Sequence, residues 1–462
     1  MKRAAEIDVS ELIEGQKRGP YRISIMMLLG AIMFFDGYDM QVLGYAAPAL
    51  LKAWHIPQAQ LGLAFGAGMI GFMLGATMLG QLGDSLGRKR MIVGGALLFG
   101  ACTAASGVAG SLNALFVLRF VAGIGMGGTV PSCIALSAEF AQAKKRATKV
   151  STMYVGYTLG SALSGFIAAK YIPLFGWPVV FYIGGIAPLL LVPVLAFALP
   201  ESVRFLALQQ RDPETLARTL TRLRPDVHFQ PGVRFVTQDQ KQPGLPVRYL
   251  FSEGRASTTL LLWLANAGAL MALHFFTSWL PTVMSSGGVL VAHAIVATAL
   301  FQLGGMTGCL LVGRFLDTHG VMAISASFMV AVVCIASIGW AGRSEGLLIT
   351  LVFLAGFFLI GGQVAQLALP GMVYPTFIRA TGAGWAYGVG RFGSILGPVV
   401  GGMLIGLGLS LPALFLFAAS PALCSAVAAY LIKIGAGVEA VPIDSSGSTA
   451  TELRGRTSPS GA

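Results

Sequence analysis

Gly80-Gln-Leu-Gly-Asp84-Ser-Leu-Gly87 recurs in the second half of the chain as Gly313-Arg-Phe-Leu-Asp317-Thr-His-Gly320. Each copy follows an apolar run of about 20 residues, the length needed to cross the hydrocarbon core of a bilayer as a helix. A Gly/Asp segment repeated behind two such runs implies a chain made of two similar halves, related by the offset that carries Gly80 onto Gly313. Moving outward from these two points, apolar runs lie at 23–50, 61–82, 91–110, 112–138, 150–171 and 177–199, then at 258–280, 289–312, 321–340, 347–372, 381–407 and 411–434. The fold expected is an all-α membrane protein of twelve spans arranged as two six-helix bundles, 22–199 and 256–434.

Composition excludes the soluble alternatives. Of the 462 residues 11% are charged and 55% hydrophobic, and the mean hydropathy is +0.76. Average soluble domains carry about 25% charged residues, so most of this surface faces lipid. The net charge of +12 does not point to nucleic acid, because the basic residues are dealt out among loops instead of forming one soluble face. Cys102, Cys133, Cys309, Cys334 and Cys424 all sit in apolar runs without metal-ligand spacing. No metal cluster or nucleophile constellation falls within the spans, so neither an enzyme nor a cofactor is expected.

A segment of about 20 polar residues (1–21) precedes the first span, a linker (200–255) separates the halves, and a Ser/Thr/Gly-rich tail (435–462) expected to be disordered follows the last. The linker holds nine basic residues and an amphipathic stretch near Glu214 to Arg224. With the N-terminus inside, inner segments hold 26 of the 31 Lys and Arg, while the outer loops hold Lys52, Lys170 and Arg343. Basic residues are retained on the cytoplasmic side, so both termini are expected there, in a bacterial inner membrane. Trp54, Trp177, Trp279 and Trp340 then fall at outer span ends.

Four charged groups remain deep within spans: Asp36, Asp39, Arg119 and Arg391. Each must face a partner or a watered cavity. Asp39 lies about 25 Å from the inner edge and Arg119 about 10 Å below the outer edge, so the two can meet. Two acids against one arginine leave a surplus carboxylate able to exchange a proton; Asp36 is the candidate. Arg391 has no acid within the interior of its own bundle to balance it, and a buried cation without a protein counter-ion needs an external anion. Phe34, Phe35, Tyr38, His274, Phe275, Phe276, Trp385 and Tyr387 share these spans and could stack on a planar ligand. His274 is equally a packing residue or a proton relay on this reading.

Gly80 to Gly87 with Arg88-Lys89-Arg90 resembles the loop signature of the major facilitator superfamily, and Arg119 to Pro131 resembles its fourth-helix signature. Pro200-Glu-Ser-Val-Arg-Phe-Leu206 is similar to the segment opening the central loop of sugar and organic-acid members. Asp36-Gly-Tyr-Asp39, Ser278-Trp-Leu-Pro281 and Gly388-Val-Gly-Arg391-Phe-Gly-Ser-Ile-Leu-Gly-Pro398 resemble the aromatic acid:H⁺ symporter branch. This resemblance implies import of a benzoate-type anion driven by the proton gradient. It implies that Asp36, Asp39, Arg119 and Arg391 serve transport, and that Gly80, Asp84, Gly87, Arg88, Glu139, Arg146, Gly313, Asp317, Gly320 and Arg379 form gates on the inner side. Asp84 is expected to latch onto the Arg379 segment and Asp317 toward Arg146. The basic run after Gly87 has no counterpart after Gly320. The rival reading is an exporter, or an importer of another organic anion; drug-exporting members place Gly-Pro in the fifth span, and no proline occurs between Val150 and Ala169. The expected partners are the aromatic acid, H⁺ and the bilayer, with a monomer sufficient and the oligomeric state left open.

Overall fold

The computed structural model describes residues 6–14, 19–142, 146–209, 213–224, 234–236, 247–341, 344–374 and 378–436. Long helices dominate. They are α1 (Pro20–Trp54), α2 (Gln58–Leu86), α3 (Arg88–Ser106), α4 (Leu112–Glu139), α5 (Arg146–Phe175) and α6 (Pro178–Ala198) in the first half. The second half contributes α7 (Ala256–Ser286), α8 (Val291–His319), α9 (Val321–Ile338), α10 (Glu345–Gln366), α11 (Arg379–Gly406) and α12 (Leu411–Ala436). Ten are long and apolar enough to cross a membrane; α3 and α5 fall outside that set. The reason is local: α3 starts on Arg88-Lys89-Arg90, and α5 carries Thr152, Tyr154, Tyr157, Thr158, Ser161 and Ser164.

The helices begin and end where backbone chemistry requires. Proline opens α1 and α6, where the missing N–H costs nothing. Ser111 caps α4 by accepting from the Ala114 N–H at 3.3 Å. Between α2 and α3 the chain turns on Gly87 at φ 102°, a conformation that side chains resist. A Cβ there would also strike the Glu201 carboxylate.

The offset between the two Gly/Asp segments governs packing as well as motifs. Gly71 and Gly75 of α2 pack on the Phe120 and Ile124 carbonyls of α4, and Gly304 and Gly308 of α8 pack on the Phe353 and Phe357 carbonyls of α10. Gly160 of α5 meets the Phe34 carbonyl of α1; Gly393 of α11 meets the Ala267 carbonyl of α7. The shift that carries Gly80 onto Gly313 carries every one of the first-half positions onto its second-half counterpart. Lipid supplies no hydrophobic drive between helices, so small residues that admit close backbone contact hold each bundle together.

The bundles meet along α2 with α11, α5 with α8 and α1 with α7. One end of this interface is closed, with Gly62 of α2 near the Pro398 carbonyl of α11, Gly165 of α5 against Ala299 of α8, and Gly44 of α1 against the Thr277 carbonyl of α7. The Phe65 and Trp279 rings cross the same seam edge-to-face at 5.4 Å. Toward the linker end the bundles part: Gly384 and Gly388 of α11 have nothing within 4 Å of an added Cβ, and Tyr154 of α5 is exposed. A central cavity thus opens toward the linker.

Two short strands depart from the all-helical expectation. Glu6–Asp8 pairs in parallel with Arg234–Val236. Beside them the expected amphipathic helix occupies Pro213–Leu223, burying Leu216, Leu220 and Leu223 together with Val9, Val203 and Phe235. The expected tail beyond residue 436 lies outside the described residues.

Candidate functional site

Two layers of charge occupy the membrane interior. In the layer nearer the closed end, Arg119 Nη1 donates to Asp39 at 3.1 Å and 3.3 Å, while Nη2 donates to Thr103 Oγ1 at 2.8 Å and Ser106 Oγ at 3.2 Å. Thr103 in turn donates to Asp39 Oδ1 at 2.5 Å. The pair is 4% and 2% exposed, so it is shielded from the cavity. A buried pair that loses one partner strands the other charge at a cost of about 3–5 kcal/mol. Arg119→Ala is therefore expected to lower the thermal midpoint of the detergent-solubilised protein sharply, with Asp39→Asn doing the same through the stranded guanidinium.

The second layer holds Asp36 and Arg391. Asp36 is 0% exposed, and among the described residues neither carboxylate oxygen has a hydrogen-bond partner. Within electrostatic reach it has Asp39 from its own helix, Cys133 from α4, Tyr157 and Tyr154 from α5, and Arg391 from α11. Arg391 is placed by glycine: Gly393 and Gly397 let α11 lie directly on the Ala267 and Met271 carbonyls of α7. Gly384 and Gly388, on the same open face, clear the approach. The guanidinium carbon stands 4.5 Å from the Phe72 ring centroid across the bundle interface. Among the described residues no ion pair or side-chain hydrogen bond reaches it. A desolvated cation–π contact contributes about 2 kcal/mol, less than the several kcal/mol that burying a charge costs. The balance favours an added anion.

Tyr387 and His274, both expected at the site, lie within electrostatic reach of Arg391. Other expectations need correction. Tyr38 is 1% exposed and donates its hydroxyl to the Val180 carbonyl at 3.1 Å, so it packs against α6. Arg119 is committed to Asp39, Thr103 and Ser106 and does not reach the cavity. Trp385 lies about 120° around α11 from Arg391; it shares an exposed stripe with Phe392, Leu396 and Met403 and stacks on Trp263 at 5.9 Å. Phe35 is half-buried with its ring edge-on to Phe34 at 5.3 Å. Conversely, Phe72, Tyr154 and Tyr157 escaped the sequence reading. The repeat held the signal for one of them, since the offset that relates the halves carries Tyr154 onto Tyr387.

At the linker end Arg88 pairs with Glu139, and Ser202 donates to the other Glu139 oxygen at 2.6 Å. Glu201 accepts from the Lys89 N–H at 3.0 Å and the Ser202 N–H at 2.8 Å, supplying the start of α3 with an external cap. This cluster ties the α2–α3 turn, the end of α4 and the start of the linker within one bundle. Arg379 is exposed and donates to the Tyr374 carbonyl of its own half at 3.4 Å. Gly80 lies beside Pro131, and Gly320 turns between α8 and α9 at φ 56°. The side chains of Asp84, Arg146, Asp317 and the neighbourhood of Gly313 lie outside the described residues, and with them the expected latches.

The model of the Major Facilitator Superfamily matches residues 29–342. A gallate transporter of Pseudomonas putida is 37% identical over 92% of this chain and 94% of its own length. A 4-hydroxybenzoate transporter of Pseudomonas aeruginosa is also 37% identical, over 92% of this chain and 96% of its own. Among solved structures, the partially occluded inward-open xylose transporter from E. coli aligns with a TM-score of 0.68 at 16% identity, covering 88% of this chain and 97% of that one. Two six-helix bundles in a single repeat register agree with these matches: the chain belongs to the Major Facilitator Superfamily and is a multi-pass membrane transporter.

Proposed function

We propose that this protein imports an aromatic carboxylate together with protons, by alternating access of the cavity between the bundles. The observation that carries this reading is Arg391, a cation in the cavity with no bonded counter-ion among the described residues. A carboxylate supplies two acceptors for the guanidinium fork, and Phe72, Tyr154, Tyr157 and Tyr387 offer the aromatic faces that a planar ring prefers. The relatives that transport gallate and 4-hydroxybenzoate support that substrate class. Charge also favours co-transport. A monoanion entering a cell at about −100 mV opposes about 2.3 kcal/mol, which one accompanying proton cancels.

Asp36 is the proton site in this proposal. As a carboxylate it would pair with Arg391 across the bundle interface and compete with substrate; protonated, it frees the guanidinium. Substrate and proton then load together on the outer side. Loss of the proton on the inner side returns Asp36 to Arg391 and expels the substrate. The linker end, toward which the cavity opens, is the cytoplasmic side on the basic-residue asymmetry.

Cells expressing the protein should accumulate radiolabelled benzoate or 4-hydroxybenzoate above untransformed cells, and a protonophore should abolish the difference. Accumulation unaffected by the protonophore would refute proton coupling.

A further inference from the structure

The repeat locates the pseudo-two-fold axis at the cavity's closed end. Gly44 and Thr277 are counterparts under the offset that carries Gly80 onto Gly313, and they touch each other. Two positions that are each other's counterpart and in contact lie at the axis. Three residues toward the cavity on each helix, roughly 4.5 Å, are Gln41 on α1 and His274 on α7, a pair related by the same offset. Gln41 is 5% exposed and His274 half-buried. These two polar residues lie on the closed-end side of Arg391.

His274 has a fixed polarity. Its Nδ1 lies 2.9 Å from the Leu270 carbonyl, a group that can only accept, so Nδ1 carries the hydrogen. In the neutral ring Nε2 is then a hydrogen-bond acceptor. Its height is fixed by the α7–α11 contact. Ala267 against Gly393 and Met271 against Gly397 place His274 level with residue 400. That is nine residues, about 13 Å, beyond Arg391. Folding the ring back toward Leu270 shortens this axial offset to about 10 Å, to which the sideways separation of the two side chains adds. A benzoate ring with a hydroxyl opposite its carboxylate, plus a hydrogen bond at each end, spans about 12 Å.

From this geometry we infer that His274, flanked by Gln41, is the subsite that accepts a hydrogen bond from a ring hydroxyl para to the carboxylate held by Arg391. The inference rests on the proposed aromatic-carboxylate reading and adds a residue that separates hydroxylated from unsubstituted acids. Nε2 takes the phenolic hydrogen, while the Gln41 amide can donate to or accept from the same oxygen or a neighbouring one. A ring fluorine fills similar space but donates nothing.

The test measures binding of benzoate, 4-fluorobenzoate and 4-hydroxybenzoate to the purified full chain by calorimetry. Wild type should prefer 4-hydroxybenzoate over 4-fluorobenzoate roughly ten-fold, the worth of one buried hydrogen bond. His274→Leu should bring that ratio close to one, and His274→Gln, whose amide oxygen can stand in for Nε2, should keep a preference. Equal wild-type affinities, or an unchanged ratio in His274→Leu, overturn the subsite and leave the Arg391 anchor standing. Failure of all three acids to bind wild type overturns both. Should His274→Leu not fold, the wild-type comparison of the hydroxy and fluoro acids decides alone.

Discussion

Arg391→Ala is expected to abolish saturable uptake of aromatic carboxylates while leaving the fold intact. The guanidinium holds no structural ion pair among the described residues, so its loss strands no internal acid beyond Asp36, which can stay neutral by keeping its proton. Removing the charged partner of a buried carboxylate costs about 2–5 kcal/mol of binding, a loss of roughly 30-fold to several thousand-fold. Arg391→Lys should recover only part of this, because an ammonium keeps the charge without the planar fork and reaches less far across the Phe72 ring. Equilibrium binding to purified protein, with a thermal unfolding curve to establish folding, reads both variants. Wild-type affinity in Arg391→Ala would remove the anchor.

Asp36→Asn is expected to separate exchange from accumulation. Asparagine resembles the protonated acid in shape and charge, so the variant should bind substrate and exchange labelled for unlabelled acid across a liposome membrane. It should fail to concentrate substrate under an imposed pH gradient, since no proton travels with the anion and nothing displaces it from Arg391 on the inner side. Weak acids are also trapped passively by a pH gradient, so the signal is the excess over protein-free liposomes. Normal accumulation by Asp36→Asn would move the coupling site elsewhere. Asp39→Asn should instead impair exchange and accumulation alike, because it unbalances Arg119 in the packed layer.

The architecture was legible because membranes allow few solutions. Apolar runs marked the spans, and one repeated Gly/Asp segment set the register in which Gly71 and Gly304, or Gly160 and Gly393, make equivalent contacts. The ionic layer was legible from helical rise, which set Asp39 and Arg119 at one height. Aromatic side chains were less so. Tyr38, Trp385 and Tyr387 share spans with charged groups, but only the direction around each helix decides whether a ring meets the cavity, a neighbouring helix or lipid. Near Trp385 the exposed stripe of Phe392, Leu396 and Met403 carries that information at spacings of seven and four, once it is read as a lipid face. Tyr154 was hidden for another reason: α5 is the polar span, where one more hydroxyl stands out little. Comparing the halves position by position would have exposed it opposite Tyr387. The short strand pair of Glu6–Asp8 and Arg234–Val236 joins the N-terminal segment to the linker across the whole first bundle, beyond the reach of local pattern.

The proposed coupling reduces to a contest between two carboxylates, one belonging to Asp36 and one to the substrate, for the guanidinium of Arg391. Among the described residues, Asp39, Cys133, Tyr154, Tyr157 and Arg391 lie within electrostatic reach of Asp36, and of these only Arg391 is a cation. The decisive measurement is the affinity for 4-hydroxybenzoate as a function of pH, in a range where its carboxyl stays ionised and its hydroxyl stays protonated, for wild type and Asp36→Asn side by side. In wild type the affinity should fall as pH rises, by up to about ten-fold per pH step of one once Asp36 has lost its proton, while Asp36→Asn should bind at least as tightly as wild type at low pH and show no such fall. Parallel pH profiles for the two proteins are incompatible with competition at Arg391.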